Sequence, residues 1–244
     1  TPENKNVILE VFTDISAGYD PHAHLISQNL HDANPNDVFL INIHTGGYSS
    51  PQGPGTDFRT SFGSAIAGQT NLAGYPAGTV NRHEFPGLQQ NGTGTAMSRN
   101  QWSSASTQLL SQASPVNVGL QSSIDMTTNT LTVDVEVYYT GSQTISTNSL
   151  NIAIVQNGIL GPQSGGATGN PSAIDPATGL YTHQHMLRHM LTGQWGENIP
   201  NITPGTLYTN TFTWTIPNQI SGYPLSPDID VTNLAIVAFV AEDN

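Results

Sequence analysis

Two architectures in series are predicted: an α/β domain over residues 1–113 and an antiparallel β-sandwich over residues 114–244. Three observations carry that expectation. The first 112 residues alternate short apolar runs with helical stripes, as in an α/β layer with some parallel pairing. From Ser114 the pattern changes to strict two-residue alternation, the mark of half-buried antiparallel strands. Between the two lies "SQASPVN", where Pro115 ends the last helical pattern and puts a boundary near residues 112–116. A chain of 244 residues also exceeds the usual size of one domain.

In chain order, "NVILEVF" and "DVFLINIH" are apolar runs suited to buried strands. Between them Ala23, Ile26, Leu30 and Ala33 form one face of a helix. Asp57 is placed to cap a second helix with Phe58, Phe62, Ala65 and Ile66 as its apolar face. "AGTVNRH" reads as a weaker third strand, and Trp102, Ala105 and Leu109 mark a third helix. "TGGYSSPQGPG" is a long, exposed, glycine-rich loop. In the second half, "TLTVDVEVYYT" sets Leu131, Val133, Val135, Val137 and Tyr139 on one face and polar residues on the other. "SLNIAIVQNG", "LYTHQHMLRHML", "TNTFTWTIPN" and "VTNLAIVAFVA" read the same way, and six or seven such strands suggest a sandwich. "GPQSGGATGNPSAIDPATG" reads as a flexible loop inside this second domain.

Charge restricts the function. Charged residues make up 9% of the chain, against about 25% in an average domain. Asn, Ser, Thr, Gln and Gly fill the surface instead, a composition common in exported β-rich proteins. The five basic residues cannot build a phosphate-binding surface against 17 acidic ones, so no nucleic-acid partner is expected. No run approaches the roughly 18 apolar residues of a membrane-spanning helix, and no signal peptide precedes "TPENKN", so the chain is read as a mature or trimmed form. The absence of cysteine excludes disulfides, thiolate catalysis and cysteine-bound metal clusters.

The most informative stretch is "FTDISAGYDPHAH", residues 12–24, where a buried strand runs into a turn, a proline and a helix. Thioredoxin-like domains carry a cysteine pair at such a turn, where free N–H groups and the helix dipole favour the thiolate. A later cis-proline packs opposite that pair, and Tyr75-Pro76 in "LAGYPAGTVNR" stands at the matching place. The chain resembles the Bacteroidota outer-membrane-protein family named for a 28-kilodalton member. Phe12, Thr13, Pro21 and His24 match its strand, Cys-x-x-Cys-Pro and histidine pattern, while Ala17 and Asp20 stand in place of the two cysteines. "DFRTSFGSAIA", "GYPAGTVNR" and "YTHQHMLRHMLTGQWGE" resemble further segments of the family. The resemblance implies a thioredoxin-like half followed by a β-sandwich, at the outer membrane or cell surface, with the redox pair lost.

The expected site is therefore a degenerate redox groove of Ala17, Tyr19, Asp20, Pro21, Tyr75 and Pro76, with the Tyr75–Pro76 bond cis. Asp20 is expected to cap the first turn of the helix rather than to react. No cofactor is expected. His183 and His185 are weak metal candidates on one strand face with Tyr181 and His189, and a packed, hydrogen-bonded face is the preferred reading. His22 and His24, two residues apart on a helix, do not share a face. Asp228 and Asp230 are read as turn acids, and the sequons at Asn91 and Asn201 as chance matches. The function expected is a non-catalytic, exported binding, adhesion or assembly module with a protein partner in an envelope complex or surface appendage. The alternative is peptide binding or chaperone-like action through the proline groove without thiols.

Overall fold

The structure is a computed structural model and describes residues 3–242. Strand β1 (Val7–Thr13) is buried along its whole length and leads through a tight turn into α1 (Asp20–Ala33). β2 (Val38–His44) returns parallel to β1, as the helical crossover requires. A short helix, α2 (Gly63–Gly68), precedes β3 (Ala77–Val80), which pairs antiparallel with β1, and α3 (Trp102–Leu110) closes this half. Alternation along β1 divides its contacts. Val7, Leu9 and Val11 meet Ala23 of α1 and Trp102, Ala105 and Leu109 of α3, whereas Ile8 and Phe12 belong to a second core with Ile66 of α2.

The second half contributes β4 (Val116–Asp125), β5 (Thr130–Tyr139), β6 (Asn148–Gln156) and β7 (Ile159–Gly161), then a single turn α4 (Gly166–Gly169). After it come β8 (Tyr181–His183), β9 (Met186–Met190), β10 (Glu197–Ile199), β11 (Leu207–Thr215) and β12 (Leu234–Glu242). β4, β5 and β11 form an antiparallel sheet with β5 in the middle. Its inward residues Leu131, Val133, Val135, Val137 and Tyr139 pack on Leu150, Ile152 and Ile154 of β6. β7 and β8 make a separate two-stranded ribbon.

The sheet does not stop at the boundary expected near residue 114. β9 pairs with β2 in parallel and with β6 in antiparallel, so the order β10-β6-β9-β2-β1-β3 joins strands from both halves, with β12 on the other edge of β6. The division into independent units at residues 113 and 114 is corrected accordingly. One core runs along the joint, from Phe12 and Ile43 through Leu187 and Val155 to Val237 and Phe239. Arg82, bidentate on the buried Glu10 carboxylate at 2.7–2.8 Å, also lies over the Phe239 ring and adds a polar tie across it.

Four local expectations change for physical reasons. Every residue of β6 is buried, because Ala153 and Val155 face one core while Ile152 and Ile154 face another. "YTHQHMLRHML" is two strands, broken at Gln184 and His185, where His185 takes φ +50°. Asp57 does not cap α2. Its carboxylate grips Arg59 at 2.8 Å, and the helix begins at Gly63. The segment from Gly161 to Gly179 is docked on α1 rather than loose, as described below.

Candidate functional site

The turn after β1 is built by two carboxylates. Asp14 Oδ1 accepts from the backbone N–H of Ser16, at 2.9 Å, and of Ala17, folding residues 14–17 into an Asx turn. Asp20 then opens α1, and Pro21 at its second position suits a turn whose N–H groups have no helical partner. Asp20 does not cap that helix, which has no side-chain cap. Its carboxylate points back under the turn, where Oδ2 accepts from Thr13 Oγ1, at 2.7 Å, and from the Asp14 N–H. Oδ1 is buried with no hydrogen-bond partner among the described residues. Burial, and then the negative charge of Asp14, push the Asp20 carboxyl up to about 7, against the pull of its two hydrogen bonds.

A directional chain of hydrogen bonds leads from Asp20 into the second half. Because the Thr13 hydroxyl donates to Asp20, the ring atom His24 Nε2, at 2.8 Å, must donate to Thr13 Oγ1. His24 Nδ1 then accepts from the Tyr181 hydroxyl at 3.1 Å, and that oxygen accepts from Asn170 Nδ2 at 3.1 Å. This assignment makes His24 the neutral Nε2–H tautomer, consistent with burial lowering its pKa to about 4. Beside the chain, the His183 ring packs at 5.0 Å on Tyr181, 5.3 Å on His44 and 4.6 Å on Phe58. Burial, with a smaller contribution from His24, takes His183 down to about 3, and burial holds His44 well below its usual range. These are neutral, packed imidazoles.

A roof lies over part of the turn, leaving Ser16, Gly18 and Tyr19 exposed. The Ser164 N–H donates to Ile15 O at 2.9 Å, and α4 lies against the first turn of α1. Gly165, at φ +73°, comes so close that a Cβ there would lie 2.3 Å from Gly18 O. Only glycine permits both the conformation and the approach.

The expected groove is only partly assembled. The Tyr75–Pro76 bond is cis. Tyr75 lies near enough to Asp14 and Asp20 for their charges to help burial raise its pKa, and its hydroxyl packs against Gly46, itself at φ +81°. Tyr75 lines a cleft of about 340 Å³ with Thr45, Gly46 and Leu72, which Ala17, Tyr19, Asp20 and Pro21 do not line. Tyr19 is exposed under the Arg99 guanidinium, and Arg99 Nε donates to His22 Nδ1 at 3.0 Å. Pro21 is buried, against the backbone of Gly169.

The histidines of the second half separate. His183 joins the buried cluster, His185 faces His31 at 5.4 Å, and His189 stacks on Trp214 at 4.6 Å. Among the described residues no three His, Asp or Glu side chains gather as a metal site. Asp230 accepts from Thr232 and Asn233 within its own turn. The residues that sequence reasoning passed over are Asn170 and His44. Tyr181 entered only as a strand-face neighbour, and its link to His24 spans 157 positions.

A scan of protein families matches "Outer membrane protein Omp28" over residues 64–244. The chain belongs to the Omp28 family. As a family member it is an exported protein associated with the outer membrane. Among solved structures, HBP35 of Porphyromonas gingivalis, a member of the Bacteroidota, aligns with a TM-score of 0.68 at 19% identity, covering 98% of this chain and 69% of that one. Protein AGR_C_4864 from Agrobacterium tumefaciens aligns with a TM-score of 0.53 at 9% identity, covering 97% and 96%. At these identities the likeness concerns the fold. Among curated protein sequences there was no match. Among the described residues no helix is long and apolar enough to cross a membrane.

Proposed function

We propose that this Omp28-family chain is a non-catalytic binding or assembly module of the envelope, built on a thioredoxin-like scaffold whose redox turn has become an internal joint. One observation carries the reading: Asp20, where the family pattern has its second cysteine, is buried, held by Thr13 and Asp14, and roofed by Ser164–Gly169. A carboxylate cannot form a mixed disulfide, and Asp20 itself is buried out of a substrate's reach, while Ser16, Gly18 and Tyr19 beside it stay exposed. The β4-β5-β11 sheet packed on β6 supplies the sandwich half of the same module. The roof also weighs against the peptide-groove alternative, since Tyr75 opens onto a different cleft from the one the turn would need.

The protein partner is tested by extracting untagged protein from native outer membranes under mild detergent. Stoichiometric co-purification with an envelope protein is expected, together with disulfide reductase and isomerase rates at background in the homogeneous protein. A chain that elutes alone, or one with thiol-dependent turnover, overturns the proposal.

A further inference from the structure

A second cleft lies where α1 and β2 meet the segments before and after β8, and it shares His24, Tyr181 and Asn170 with the chain that leads from Asp20. Its volume is about 520 Å³, within the range of about 300–1,000 Å³ usual for small-molecule sites. Most of its lining residues are neutral and carry hydrogen-bonding side chains. Six side-chain amides face it: Gln28, Asn29, Asn42, Asn157, Asn170 and Gln184. Hydroxyls come from Ser27, Ser172 and Thr182, and Tyr181 and His24 close one end. Asp32 is its one carboxylate, neither Lys nor Arg lines it, and the apolar side chains are Leu25 and Ala173.

The wall is built rather than incidental. Asn157 Oδ1 accepts from the His185 N–H at 2.7 Å, and the Asn42 N–H donates to His185 O at 2.8 Å, holding His185 at φ +50°. Such left-handed non-glycine residues recur at ligand clamps. The His185 imidazole is thereby set against Gln28 Oε1 at 3.2 Å, and Gln28 Nε2 donates to Asp32 at 2.8 Å. Asn42, 5% exposed, donates through Nδ2 to Gln184 O, while its Oδ1 has no partner among the described residues.

These features select a ligand class. An anion would find no cation here and would meet Asp32. An apolar molecule would displace water from the wall's polar groups, many of which already pair with one another, without adding a hydrogen bond. A neutral polyol suits the lining, because each of its hydroxyls both donates and accepts, as side-chain amides do, and a carboxylate can accept from two neighbouring hydroxyls. We infer that the cleft between α1 and the 157–185 segment is a binding site for a neutral saccharide, with Gln28, Asp32, Asn157 and His185 as its recognition groups. The inference does not depend on the reading of the Asp20 turn.

The test is a titration of the isotope-labelled full chain with glucose, galactose, mannose, N-acetylglucosamine and their neutral disaccharides, followed by amide chemical shifts. At least one of these sugars is expected to bind with saturable shifts confined to residues 24–32, 42, 157 and 170–185. Gln28→Ala and Asp32→Ala, on the solvent side of α1, should each weaken that binding about tenfold, the equivalent of one good hydrogen bond. Their spectra outside the cleft should match wild type. No saturable shifts with any neutral sugar, shifts elsewhere, or binding unchanged in both variants would overturn the site. Tighter binding of glucuronic acid or of a capped dipeptide would overturn the ligand class.

Discussion

Asp20 shows how far a residue can be read from its neighbours. An aspartate before a proline at a helix start is a sound cap signal, yet here the carboxylate turns inward. The Thr13 hydroxyl and the Asp14 N–H lie on the buried side of the same turn, and a chain of four hydrogen bonds links Asp20 through Thr13, His24 and Tyr181 to Asn170. Nothing local distinguishes the two orientations, and the partners Tyr181 and Asn170 come from the other end of the sequence. The orientation has a measurable consequence. A carboxyl near 7 in the native state but 3.8 in the unfolded chain keeps a proton on folding between those values, so this group lowers stability as pH rises from about 4 to about 7. Asp20→Asn is therefore expected to stabilise the protein at pH 8 by about 1–3 kcal/mol, with the difference closing near pH 4, as read by urea unfolding. His24 and His183 act oppositely. Lowered to about 4 and about 3, they stay neutral in the fold while the unfolded chain takes up protons below about 6.5. Stability is lost as pH falls through that window, and in Asp20→Asn this acid loss stands without the opposing contribution of Asp20.

At the scale of elements, strands and helices with a periodic face were legible and glycine-rich segments were not. β5 alternates as its sequence demands, with Leu131, Val133, Val135 and Val137 all at most 2% exposed. β6 carried a readable signal as well, since "LNIAIV" is nearly continuous in apolar residues, the mark of a strand covered on both faces. The 161–179 segment has no period, and its glycines look like flexibility. They are instead clearances: Gly165 against Gly18, Gly166 against Tyr181 and Gly169 against Pro21. Gly165→Val, which adds both a clash with backbone and a disfavoured φ, should lift the roof and cost about 1–3 kcal/mol. Limited proteolysis should then cut near residues 16–20 in the variant but not in the wild type.

For the whole molecule, one sheet runs across the change of pattern at residue 114. The α/β half and the β half share the sheet through β2 and β9, share the core from Phe12 to Phe239, and are joined again where Ser164 closes over Ile15. Long-range pairing of this kind leaves no periodic trace, because it depends on which strand edges remain free after each half has formed. The central claim is that the turn after β1, with its buried Asp20 carboxylate, is a joint within one cooperative unit. Native-state hydrogen exchange across a series of low denaturant concentrations tests it most directly. The amides of Asp14, bonded to Asp20, and of Ser164, bonded to Ile15, should exchange only through the same global opening as those of Val11 in β1 and Ile154 in β6, on a single merged isotherm. Exchange of Asp14 and Ser164 by a low-energy local opening, or separate isotherms for Val11 and Ile154, would contradict it.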